Sequence, residues 1–90
     1  MATYFEATQE QKQLAQIGRE MMDFSENYGV EFGLKGVTDN GLQTLNDLSH
    51  VGSMLTRYGA SFGTSAKSFT QKDMELIARF MKKEVDIERK

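Results

Sequence analysis

The chain has no cysteine, no proline, no tryptophan and a single histidine in 90 residues. Without cysteine there is no disulfide framework, no thiolate zinc site and no cysteine nucleophile. The same absence fits a reducing compartment. Without proline, nothing in the chain forces a helix to kink. One histidine makes no metal site alone, and borrowed carboxylates would suit harder ions. Apolar runs are only a few residues long, far short of the ~20 that span a bilayer. The opening Met1-Ala2-Thr3-Tyr4-Phe5-Glu6 lacks the basic-then-apolar order of a signal peptide. These absences lead to the expectation of a soluble, cytoplasmic protein with no membrane role and no cofactor. For a phage-encoded chain that compartment is the host cytoplasm.

What is present bounds the fold. A chain of 90 residues is the size of one domain, here taken as 1–90. Small chains bury a limited share of their surface, and oligomerisation is a common remedy where disulfides and metals are missing. Net charge is −2, which argues against a dedicated nucleic-acid binder. The charge is unevenly spread. Residues 1–41 hold seven acids and three bases, and residues 42–90 hold six acids and eight bases. Two halves of opposite sign can attract head to tail, or the split is chance scatter in a short chain.

Three segments carry a helical period. In the first, about 8–28, Leu14, Ile17, Met21, Phe24 and Tyr28 share one face, at spacings set by a turn of about 3.6 residues. Thr8 and Gln11 have the form of a capping box, and Gly29 stands where a left-handed residue ends many helices. The glycine-rich stretch Gly29–Val37 follows. Its Val30, Phe32 and Leu34 read as an ordered connector that tucks against the helices. The second helix, about 39–58, starts at Thr38 or Asp39, either of which can cap it. Its stripe is Leu42, Leu45, Leu48, Val51, Leu55 and Tyr58, with Met54 beside it, and Gly59 is the expected stop. Gly52 lies mid-helix, where glycine often permits close approach of another backbone.

The third helix, about 70–88, has the clearest punctuation. Thr70 caps it with Asp73 at the third position, and Phe69 and Met74 match a hydrophobic staple. Asp73 and Glu75 suit the positive end of its dipole, and Lys82, Lys83, Arg89 and Lys90 the negative end. Met74, Ile77, Met81 and Val85 form one apolar line, and Leu76, Phe80 and Ile87 a second. The fold class is therefore all-α: a small three-helix domain with Gly-rich connectors, expected to oligomerise.

Several chemistries can be weighed on spacing. The loop Gly59–Ser68 resembles a phosphate-binding loop only superficially. Three residues separate Gly59 from Gly63, and Lys67-Ser68 does not adjoin a glycine, whereas the motif needs four residues and then Gly-Lys-Ser/Thr. A weaker anion site remains open, built from Arg57, Tyr58, Lys67 and the hydroxyls of Ser61, Thr64 and Ser65. It would suit a small anionic ligand such as a nucleotide. A helix-turn-helix reading of helices two and three meets a connector of about ten residues where such units use three to four. Asp73 and Glu75 would also face phosphates. His50 has Asp47 on its own helix face, but no nucleophile or oxyanion donor accompanies the pair. Asp39-Asn40-Gly41 resembles the start of a calcium loop, yet Leu42, Leu45 and Val51 occupy places where ligands belong.

There remain six methionines, a residue that fills irregular cores and also serves adaptable surfaces. Met22 lies off the first stripe. With Tyr4, Phe5, Leu76, Phe80 and Ile87 it makes more apolar surface than three helices need. Two readings stand: an interface for another chain, or an N-terminal arm folded back over helix three. The leading expectation is a non-enzymatic, self-associating helical module that binds a protein partner. Small accessory proteins of bacteria and phages commonly have this make-up. An anion binder is the alternative, and a DNA-binding regulator the third.

Overall fold

The computed structural model describes residues 9–59 and 66–90. They form three α-helices in the order α1 (Gln9–Phe32), α2 (Asp39–Gly59) and α3 (Gln71–Met81), with a short 3₁₀ turn at Ala66–Ser68 before α3. No described helix is long and apolar enough to cross a membrane.

α1 and α2 pack as an antiparallel hairpin and share the main contact surface. Met21 of α1 and Leu45, Leu48, Val51 and Leu55 of α2 are its buried centre, and Leu14, Ile17, Phe24, Tyr28 and Tyr58 pack around them. These are the residues of the two periodic stripes. The backbones come unusually close where small residues face each other. A Cβ on Gly18 would lie 2.6 Å from the Gly52 carbonyl oxygen, and one on Gly52 would lie 2.6 Å from that of Gly18. Gly59 repeats the arrangement against Ala15 and the Gln11 carbonyl. Side chains then bridge the seam. Ser25 Oγ donates to the Leu45 carbonyl at 2.7 Å, and Gln11 Nε2 reaches the Tyr58 carbonyl at 3.5 Å.

The structure moves two helix ends. α1 runs past Gly29 to Phe32, and Gly33 is the left-handed residue, with φ 72°. Gly33 N–H donates to the Gly29 carbonyl at 3.0 Å, and Leu34 folds back over Gly29, whose missing Cβ leaves room. This is a left-handed cap with its usual apolar contact. Val30 and Phe32 are therefore helical and exposed, at 86% and 60%. They do not tuck against the helices as a connector would.

α3 stops at Met81, well short of residue 88. Glu84 N–H donates to the Arg79 carbonyl and Lys83 N–H to that of Phe80, at 2.9 and 3.0 Å. That pair is a Schellman ending, and it requires a left-handed residue. Here the residue is Lys83, with φ 58°. The start of α3 is as the sequence predicts: Thr70 Oγ1 accepts from Asp73 N–H, and the Asp73 carboxylate accepts from Thr70 N–H, both at 3.1 Å. Phe69 meets Tyr58 edge to face at 6.0 Å, while Met74 is half exposed.

Residues after α3 form an extended strap that returns to the α1–α2 turn. Thr38 N–H donates to the Glu88 carbonyl at 3.1 Å and Lys90 N–H to that of Gly36 at 2.7 Å. Val37 and Arg89 make one antiparallel bridge. Gly41 has no Cβ where the Glu88 carbonyl passes. Thr38 caps α2 by accepting from Gly41 N–H at 3.1 Å.

Candidate partner-binding groove

An open groove of about 1040 Å³ lies between the C-terminal half of α1 and the end of α3. Its floor follows from the helix period. Ile17, Phe24 and Tyr28 recur along one line of α1, and Phe80, Met81 and Val85 come from α3 and the strap. Phe24 and Phe80 meet edge to face at 6.0 Å, and Tyr28 and Phe32 lie 5.0 Å apart. Aromatic pairs favour such inclined contacts over a face-to-face sandwich. Phe32 and Met81 are 60% and 56% exposed.

Beside this floor runs a polar row. Glu20, Asp23, Asn27 and Glu31 line the groove at spacings of three, four and four, so they form one ridge on α1. The three carboxylates are exposed. None forms an ion pair among the described residues. Lys83 is the single base among the lining residues.

The strap closes the end of α1 beside the groove. Arg89 donates to the Tyr28 hydroxyl at 3.0 Å and to the Gly33 and Phe32 carbonyls at 3.4 and 3.5 Å. It therefore satisfies carbonyls that a helix end leaves unpaired and places a cation at the negative end of the dipole. Its guanidinium also lies 5.9 Å from the Tyr28 ring centre, within cation–π range.

Only some of the residues that the sequence groups as sites lie among the described residues. Phe80 lines the groove. Leu76, Phe80 and Ile87 are half-buried and pack against the core cluster. Ile87 belongs to the strap, beyond α3. Met22 is half-buried in the hairpin seam, near Gly52. Tyr4 and Phe5 lie outside the described residues, as do Ser61, Thr64, Ser65 and the capping residue Thr8. Arg57 and Lys67 are exposed, and Tyr58 is half-buried against Phe69. Neither described groove includes Arg57, Tyr58 or Lys67.

No family model matches this chain, and neither a curated protein nor a solved structure matches it.

The other candidates have structural employment. Asp47 accepts from Gln43 at 2.9 Å and pairs with Lys72 at 3.8 Å, while His50 is exposed. The pair with Lys72 sits in a small polar cleft between α2 and α3 of about 230 Å³, and Lys72 is 81% exposed, so it adds little stability. Asp39-Asn40-Gly41 is the first turn of α2. The groove residues that the sequence did not single out are Val30, Phe32 and the acidic ridge. For Phe32 and Glu31 the signal is the continuation of the α1 period through Gly29, which a helix stop at that glycine conceals.

Proposed function

We propose that this protein is a non-enzymatic helical module that binds a protein partner in the α1–α3 groove. The observation that carries the reading is the exposed apolar floor, above all Phe32 and Met81 at 60% and 56% exposure. Side chains of this size left in water on one concave face favour association, because covering them recovers roughly 25 cal/mol per Å² of apolar area. The floor is built on helices, and a preorganised surface binds with less ordering cost.

The mode this surface fits is helix-in-groove recognition, in which an amphipathic helix lays its apolar face into an apolar trough. The test is a titration of the labelled protein with three amphipathic helical peptides of one apolar stripe and cationic, neutral or anionic polar faces. Amide resonances of Phe24, Tyr28, Phe32 and Met81 are followed. At least one peptide should shift them saturably, and Met81→Asp should abolish the effect with the helical circular dichroism unchanged. If none of the three shifts these resonances and the chain is monomeric, the groove is not a docking site.

Self-association is a second reading. It is supported by apolar side chains exposed elsewhere, namely Leu34, Leu42 and Met74 at 49%, 42% and 51%. Light scattering across a concentration series decides it, and a constant monomer mass would end it.

A further inference from the structure

We propose that the groove's occupant is a cationic amphipathic helix of about three turns, carried by another protein. The inference rests on the docking reading above and adds the charge and length of the ligand.

Length comes from the ridge. Glu20 and Glu31 mark its ends, and eleven residue steps of an α-helix cover about 16 Å. A ligand helix of about three turns matches that span.

Charge comes from the ridge's composition. Glu20, Asp23 and Glu31 present three exposed carboxylates along one edge, none held in an ion pair among the described residues. An apolar ligand with an anionic flank would face all three. A ligand with Lys or Arg at the positions flanking its apolar stripe would satisfy them. Complementary rim charges act mainly on encounter rate and on rejection of wrong partners. The same ridge disfavours nucleic acid and anionic lipid surfaces, which would bring phosphates against carboxylates. Lys83 lies among the α3 and strap residues that line the groove, so it is offered to an acidic residue on the ligand rather than to the ridge.

The three-peptide titration discriminates once affinity is measured, by fluorescence anisotropy at low and high salt. The peptides carry about 14 residues each, long enough to cover the ridge with frayed ends to spare. The cationic peptide should bind about tenfold or more tighter than the neutral one at about 0.05 M salt, and the gap should narrow at about 0.5 M as screening shortens the Debye length. The charge-reversed variant Glu20→Lys, Glu31→Lys should invert the order, favouring the anionic peptide. A charge-matched control, Glu10→Lys with Glu26→Lys, changes exposed positions outside the groove lining and should leave the order unchanged. Equal binding of all three peptides overturns the inference while leaving the docking reading intact. An equal loss in the control overturns it too, because the effect would then be general charge attraction. Dimerisation that excludes every peptide and is released by Met81→Asp assigns the groove to a second copy and also overturns it. Failure of every peptide with the chain monomeric removes the docking reading itself.

Discussion

Single residues decide how near the helices come. Gly18 and Gly52 each occupy a place where a methyl group would sit 2.6 Å from the opposite carbonyl oxygen. In a free helix, glycine to alanine gains up to about 1 kcal/mol. Here that gain is lost to overpacking against backbone, which typically costs about 1–3 kcal/mol. Gly52→Ala should therefore destabilise the fold by about 1 kcal/mol net in urea denaturation, against the sign expected from propensity. The need for Gly52 was legible, because a glycine inside an apolar stripe invites a packing explanation. Gly18 was not, because what a helical glycine is for depends on what faces it, and the facing element is not written beside it in sequence. Lys83 gives the opposite case. A left-handed φ of 58° at a lysine costs about 1–2 kcal/mol that glycine does not pay. Lys83→Gly should raise stability by about 1 kcal/mol after allowing for the greater freedom of the unfolded glycine chain, checked by the denaturation midpoint. Sequence gave no warning of this ending, because Val85 and Ile87 continue a plausible helical spacing beyond it.

At the scale of elements, the buried core cluster belongs to the hairpin, and α3 packs against it from outside. α3 has 11 residues and none is fully buried. Helices this short are marginal alone, so tertiary contacts and caps must hold them. Its capping box is one support, and Thr70→Ala should cost about 1 kcal/mol, with faster amide exchange confined to the first turn of α3. The strap is the other. The sequence predicts the last turns of α3 there, since lysines and arginine at the end suit a helix dipole. Arg89 does serve a dipole, but that of α1, reached through the extended residues after Lys83. Period and charge report that a residue is buried or paired without naming which element receives it. Arg89→Ala should therefore speed amide exchange in the α1–α2 turn, around Gly33–Thr38, more than in α3. Arg89→Lys should not restore protection fully, because lysine keeps the charge but lacks the planar fork that reaches the hydroxyl and both carbonyls.

For the whole molecule, the groove lies where the hairpin meets α3 and the strap. Its acidic wall belongs to α1, and Phe80, Met81 and Val85 come from α3 and the strap. A ligand that touches both must favour the docked arrangement of α3 over any opened one, since it can only shift an equilibrium by its differential affinity. Binding to the native state alone adds about 2.7 kcal/mol at a ligand concentration one hundred times Kd. For a domain of this size, each kcal/mol shifts Tm by about 4–8 °C. The cationic amphipathic peptide at that excess should therefore raise Tm by about 10 °C or more. Exchange protection should rise in α3 as much as in the buried core around Leu48 and Val51, because undocking α3 and unfolding the chain both release the ligand. If the peptide binds and protection rises in the core but not in α3, it is recognising the hairpin alone, and α3 is a bystander to the site. If α3 gains as much as the core, part of the docking energy of the third helix is supplied by the partner.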